Sequence, residues 1–223
     1  MSVNVETYHS IHESLNAQHV LLVAVSKTKP NEDIQELYNL GQRDFGENYV
    51  QELVDKQTSL PADIHWHFIG HLQSNKVKYI APFVYLIHGV DSLKLLQEIN
   101  KQAAKNNRII NCLLQVHIAI EESKFGFDEV ALNEFILNKS WELLPNICVK
   151  GLMGMASFTN DINQVRSEFK SLNKMFQLLK QHVTSASVLS MGMSADYPIA
   201  IQEGSNLVRI GSLLFGARDY SKP

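Results

Sequence analysis

The sequence predicts an α/β chain folded as a (β/α)8 TIM barrel, and three observations carry that reading. About eight short apolar runs recur along the chain. Helix-like stretches separate them, and no G-x-G-x-x-G or G-x-x-x-x-G-K-[ST] string occurs. The runs lie at 19–26, 43–47, 64–70, 84–90, 109–118, 147–155, 187–192 and 207–211. Most are rich in Val, Ile and Leu with little polar alternation, as parallel strands covered on both faces require. Between them, 31–41 opens on Asn31 as N-cap and stops at Gly41, and 91–105 opens on Asp91. The stretch 161–182 sets Val165, Phe169, Leu172, Phe176 and Leu179 on one helical face. An open doubly wound sheet is the structural competitor, but it usually has fewer strands and a glycine-rich first turn. No linker, low-complexity tract or internal repeat interrupts the pattern, so one barrel domain over residues 1–223 is expected.

Composition narrows the function. The 223 residues hold 20 basic and 23 acidic side chains, a net charge of −3, with 45% hydrophobic and 19% charged residues. That mix supports a real core and excludes a disordered or collagen-like chain. The weakly acidic balance argues against nucleic acid as the main partner. The longest apolar runs, such as 20–25 and 84–87, are too short to span a bilayer. Residues 1–10 lack the pattern of a signal peptide. Cys112 and Cys148 read as small buried hydrophobes in strand-like segments, not as a disulfide or metal cluster. A cytoplasmic, monomeric protein with no membrane partner is expected.

Barrel chemistry sits where strands end, which directs attention to three places. Val23, Val25 and Lys27 share one face of the first strand, so Lys27 crowns the interior if that face points inward. Desolvation there would leave part of its amine neutral and nucleophilic, as Schiff-base formation needs. The bland alternative is a solvated lysine at a strand end. Lys29 is weaker, because Pro30 has already turned the chain away.

Met193-Ser194 ends the seventh run, with Ser194 a natural N-cap, and Gly211-Ser212 ends the eighth before another helical turn. Small residues and hydroxyls at helix starts suit a phosphate, and barrel phosphate sites recur after strands 7 and 8. Ordinary caps and tight turns would look the same taken singly. Arg209 shares a strand face with Leu207 and Gly211, and an inward guanidinium needs an acceptor. A phosphate-bearing pyridine, ring nitrogen toward Arg209 and aldehyde on Lys27, would use all these parts. A core ion pair with Glu203 or Asp196 is the alternative.

Several strings resemble the pyridoxal-phosphate homeostasis proteins over nearly the whole chain, in order. They are Ala24-Val25-Ser26-Lys27-Thr28-Lys29-Pro30, Phe45-Gly46-Glu47-Asn48-Tyr49-Val50-Gln51-Glu52 and His65-Trp66-His67-Phe68-Ile69-Gly70-His71-Leu72-Gln73-Ser74-Asn75-Lys76. Gly151-Leu152-Met153, Ser190-Met191-Gly192-Met193-Ser194, Val208-Arg209-Ile210-Gly211 and Phe215-Gly216-Ala217-Arg218 continue the match. The resemblance implies a barrel like the N-terminal domain of alanine racemase, with pyridoxal 5′-phosphate held as a Schiff base on Lys27. It implies phosphate contacts from Met193, Ser194, Gly211 and Ser212, Arg209 at the ring nitrogen, and Asn48 and Met153 lining the ring. Ser212 stands where the family usually has threonine, which keeps the hydroxyl. The segment His117 to Gly126 keeps Ser123-Lys124-x-Gly126 but lacks the family's usual asparagine and glycine before it, so no role is carried onto His117 or Glu121.

The activity implied is cofactor storage and delivery that balances intracellular pyridoxal phosphate and amino-acid pools, without catalytic turnover. Apo pyridoxal-phosphate enzymes are the conceivable recipients. The chain ends at Pro223, soon after the eighth run, with no room for the second domain that supplies a racemase's opposite acid/base. A racemase-like enzyme remains the alternative. A metal-dependent barrel hydrolase is more remote: His65-x-His67 with His71 and His117 could hold zinc, but the pair is on the third run and the last ends in Arg209. No metal is expected, and His65 and His67 otherwise read as strand packing with hydrogen-bonded rings. Lys101, Lys105 and Arg108 read as a solvated helix end. Ser123-Lys124 reads as an exposed βα loop, and neither Lys29 nor Lys124 receives a role.

Overall fold

The computed structural model describes residues 3–120 and 125–216, so Ser123, Lys124, Ala217 and Arg218 lie outside the described residues. Eight parallel strands close into a barrel in chain order. They are β1 (Leu21–Val25), β2 (Asp44–Glu47), β3 (His65–Phe68), β4 (Leu86–Val90), β5 (Ile110–Gln115), β6 (Ile147–Met153), β7 (Val188–Met193) and β8 (Leu207–Ile210). Each falls within one of the eight apolar runs except β7, which continues one residue past its run to Met193. Pairing of β8 with β1 closes the ring and sets Leu21 opposite Leu207 and Val23 opposite Arg209.

The period-2 alternation of each strand divides its side chains between two cores. Val23, Leu86, Leu113, Met153 and Leu207 fill the barrel interior, with Met155 and Val188 packed against them. The opposite faces pack beneath the helices in a larger outer core. Those helices are α1 (Val5–Ala17), α2 (Asn31–Asn39), α3 (Val50–Ser59), α4 (Val77–Ile80), α5 (Leu93–Lys105), α6 (Glu129–Leu137), α7 (Ile162–His182), α8 (Tyr197–Gln202) and α9 (Ser212–Phe215). Among the described residues, no helix is long and apolar enough to cross a membrane.

Helix α7 follows its sequence pattern. Asp161 caps it by accepting from the N–H groups of Asn163 and Gln164, and Val165, Phe169, Leu172, Phe176 and Leu179 are all buried. Two other helix starts shift. Asn31 is the first residue of α2, and Pro30 occupies the cap with extended backbone and no side-chain bond. The ring of Pro30 sets the entry angle, while Glu32 and Asp33 complement the helix dipole instead of a cap. Helix α5 begins after Ser92, whose hydroxyl accepts from the Leu95 N–H. Asp91 instead accepts from Ser92 Oγ and pairs with His71 at 3.1 Å.

Helix α1 stands ahead of β1. Asn4 accepts from the Thr7 N–H, and Tyr8, Ile11 and Leu15 bury one stripe of the helix. The Asn4 N–H also donates to the Leu214 carbonyl, fastening the chain's start to α9. Cys112 is buried and its thiol is pushed up by desolvation, whereas Cys148 is half-buried.

Arg108 departs from the expected solvated helix end. Its guanidinium donates to the carbonyls of Ala81 and Val84 at 2.6 and 2.8 Å, tying the chain ahead of β5 to the chain ahead of β4. Charged hydrogen bonds of this kind are worth about 1.5–3 kcal/mol each, and their loss strands partly buried carbonyls. Arg108→Ala is expected to lower stability in urea denaturation by roughly 2 kcal/mol. Exposed Lys105→Ala should stay within about 0.5 kcal/mol of the parent.

Candidate functional site

The C-terminal ends of the strands surround an open cavity of about 330 Å³. Lys27, Asn48, Met193, Ser194, Arg209, Gly211 and Ser212 line it, with Lys29, Ile69 and Met155 among the remaining walls. Met153 does not reach the cavity. It is 1% exposed in the barrel interior, one pleat below Met155, which takes the wall position expected of it.

Lys27 stands just beyond β1 in a turn whose backbone is unusual. Thr28 has φ 62, a left-handed conformation that a β-branched residue adopts at a cost of about 1–3 kcal/mol. A buried charge cluster holds the turn. The Thr28 N–H donates to Glu52 Oε1 at 2.6 Å, and Lys56 Nζ donates to the Ser26 carbonyl at 2.8 Å. Lys56 also bridges Glu47 at 2.8 Å and Glu52 at 2.6 Å, while the Ser26 hydroxyl donates to Glu47 Oε1 at 2.6 Å. Glu47 Oε2 has no hydrogen-bond partner. Desolvation pushes the Glu47 carboxyl up to about 7, against the opposing pull of Lys56 and Ser26. Sequence reasoning passed over this cluster; its one local signal is the i,i+4 pair of Glu52 and Lys56.

Two loops form the opposite wall. Gly192 has φ +95, and a Cβ there would meet the Ala200 Cβ at 2.7 Å, so glycine is needed where β7 turns out. Ser194 is not the N-cap of α8; Asp196 takes that position, and its carboxylate accepts from the Met193 N–H. The Ser194 hydroxyl instead accepts from the Gly211 N–H at 3.3 Å, joining the loops after β7 and β8. Gly211 precedes α9, whose first turn has N–H groups without intrahelical acceptors. A Cβ on Gly211 would lie 3.1 Å from the Val25 carbonyl, so its small size lets this loop press against β1.

Arg209 is 4% exposed on the cavity floor. It donates to the Ser190 carbonyl at 3.0 Å, the Ser190 hydroxyl at 2.5 Å and the Gly154 carbonyl at 3.1 Å. Among the described residues, no carboxylate lies within ion-pair distance of it, so the alternative of a core ion pair with Glu203 or Asp196 is not seen. Glu203 pairs with Arg166 instead. Desolvation pushes the guanidinium down to about 10, with Asp196 raising it from a distance. Asn48 contributes a buried Oδ1 that has no hydrogen-bond partner. Amine, hydroxyls, glycine backbone, cationic donor and orphaned acceptor thus converge on one space, a donor set that fits a phosphate-bearing heteroaromatic aldehyde.

Residues 5–219 match the family described as alanine racemase, N-terminal domain. The chain belongs to that family. Within it, the chain is 44% identical over 211 residues to the pyridoxal phosphate homeostasis protein of Pasteurella multocida, covering 91% of this chain and 88% of the relative. The corresponding Haemophilus influenzae protein is 41% identical over 214 residues, covering 94% and 90%. The structure of PipY from Synechococcus elongatus, solved with PLP bound, superposes with a TM-score of 0.85 at 34% identity. That match covers 95% of this chain and 99% of PipY.

The histidines of β3 are engaged by a carboxylate and an aromatic ring. His65 and His67 both contact Asp44, at 3.2 and 3.0 Å, and His65 stacks on Tyr85. Among the described residues, no group of three or more His, Cys, Asp or Glu side chains could hold a metal ion.

The Glu47 cluster carries a pH signature. Its folded value lies above its unfolded one, so its contribution is fully present below about 4.5 and is lost as pH rises through about 7. The stability difference between the parent and Glu47→Gln should therefore fall across that window, by no more than about 3 kcal/mol, and then level off. Denaturant melts at a series of pH values measure it.

Proposed function

We propose that this chain binds pyridoxal 5′-phosphate through Lys27 and serves as a cytoplasmic carrier that balances the cofactor supply, without catalytic turnover. The observation that carries the reading is the convergence of Lys27, Arg209 and the Ser194 and Gly211–Ser212 loops on one cavity. The names of the relatives and the PLP-bound PipY structure support the same ligand.

In this reading the Lys27 amine would take the cofactor's aldehyde carbon, the aldehyde oxygen leaving as water. Ser194, Ser212 and the backbone of the Met193 and Gly211 loops hold the phosphate, with hydroxyl and N–H donors supplied from two strands. Asn48 would line the ring. Arg209 would donate a hydrogen bond to the ring nitrogen without transferring its proton, which would keep that nitrogen unprotonated. Bound pyridoxal phosphate supplies an aldehyde that exchanges between amines and a ring that withdraws electrons best when its nitrogen is protonated. The geometry therefore favours reversible attachment over carbanion chemistry.

Among the described residues lining the cavity there is no His, Tyr, Asp, Glu or Cys to act as a second acid or base. Lys29, the other lysine there, donates to the Phe215 carbonyl at 2.7 Å. The cofactor would pass to other amines, including those of apo pyridoxal-phosphate enzymes, by displacement from Lys27. Single-domain organisation and a monomeric state belong to the same proposal.

Purified protein supplemented with pyridoxal phosphate is expected to show a visible absorption band that borohydride bleaches and locks covalently onto Lys27. Lys27→Ala should lose the band and bind the cofactor at least about tenfold more weakly, a loss of about 1.4 kcal/mol. An identical spectrum in Lys27→Ala would overturn the assignment. Sustained α-proton exchange on an amino acid, abolished in Lys27→Ala, would replace the carrier reading with an enzymatic one.

A further inference from the structure

A line of buried polar groups runs through the barrel interior from Arg209 toward the opposite end. The Ser190 hydroxyl, 2.5 Å from Arg209 Nη1, lies 3.1 Å from His88 Nδ1. His88 Nε2 lies 2.9 Å from His67 Nδ1, and His67 Nε2 lies 3.0 Å from Asp44 Oδ1. Ser190, His88 and His67 are fully buried. Asp44 is partly exposed where β2 begins, beside His65 and the Tyr85 ring stacked on it.

The ends of this line fix its direction. Arginine only donates and an ionised carboxylate only accepts. Burial holds both imidazoles below their usual range, His88 well below it because His67 and Arg209 add to the desolvation. A neutral His67 facing the Asp44 carboxylate must carry its proton on Nε2, which leaves Nδ1 to accept from His88 Nε2–H. His88 Nδ1 then accepts from the Ser190 hydroxyl. With its own proton committed to His88, Ser190 turns a lone pair toward Arg209. The opposite order would set two acceptors against each other at 3.0 Å.

We infer that His67 and His88 are positioning residues that, anchored by Asp44, hold Ser190 as an acceptor and thereby aim Arg209 as a cationic donor into the cavity. This replaces the direct carboxylate partner that a buried arginine usually has. On this line the carboxylate, Asp44, stands three hydrogen-bonded groups away, and Asp196 acts on Arg209 only from a distance, so the charge of Arg209 stays available to a ligand. The selectivity that results rests on the pyridoxal-phosphate reading above. A ring atom able to accept a hydrogen bond is favoured over one carrying a proton or an alkyl group.

Two measurements test the inference. Long-range 1H–15N correlation on 15N-histidine-labelled protein without added cofactor should show both rings as Nε2–H tautomers between about pH 6 and about pH 8. An Nδ1–H tautomer or an imidazolium at either ring overturns the relay, and this measurement needs no variant to fold. The second compares affinities for pyridoxal 5′-phosphate and its N-methylpyridinium analogue. The parent should prefer the former. In His88→Leu the preference should fall at least about tenfold, whereas His88→Gln should keep it within about threefold, because its amide donates to His67 and accepts from Ser190. A folded His88→Leu protein with the parental preference, or a folded His88→Gln protein that loses it, overturns the inference alone. Failure of the parent to bind either probe overturns the cofactor reading, and the selectivity with it.

Discussion

Closure of the barrel through β1 and β8 is the constraint on which the site depends. The register that sets Val23 opposite Arg209 joins residues 186 positions apart and carries both strands to the same mouth. Lys27, two residues beyond the end of β1, is thereby brought to the wall that Gly211 and Ser212 form beyond β8. The close fit of Gly211 to the Val25 carbonyl belongs to the same seam. A shift of one residue in this pairing would turn the interior side chains of one strand outward and take Arg209 off the cavity floor.

Around that seam the protein keeps charge in a dry interior by two different means. Lys56, Glu47 and Glu52 neutralise one another directly and use their spare hydrogen bonds on the backbone of the Lys27 turn. The result is rigidity: a left-handed threonine is held where the chain alone would relax. Arg209 is treated otherwise: its hydrogen-bond partners are carbonyls and a hydroxyl, Asp196 acts on it from a distance, and Asp44 stands at the far end of a histidine pair. The result is a cation that is geometrically fixed and still open to a ligand. Mutual neutralisation suits a support, and remote compensation suits a binding surface.

Much of the fold was legible because it depends on periodicity. Eight apolar runs became eight strands, and the stripe from Val165 to Leu179 became the buried face of α7. Helix starts were less legible. A cap depends on which competing side chain reaches the first N–H groups, and Ser92, Pro30 and Asp196 stood there instead of Asp91, Asn31 and Ser194. Lys27, Arg209 and the Gly211–Ser212 loop were readable from strand-end position, and Asn48 came only from the resemblance. Met155 was missed in favour of Met153 because the depth at which a strand leaves the interior decides which of two like residues meets the cavity. The charge cluster under Lys27 and the line from Arg209 to Asp44 join strands and helices distant in sequence, and no local pattern announces them.

By itself, then, the sequence determined the number of strands and the residue types at their ends, since both depend on short apolar runs and on the neighbours that bound them. The tertiary structure decided which end residues share a cavity, how Thr28 is held in a strained turn and why, among the described residues, Arg209 has no carboxylate at ion-pair distance. Those outcomes depend on barrel closure and on hydrogen-bond direction across the interior. Each requires every strand to be in place before its partners meet.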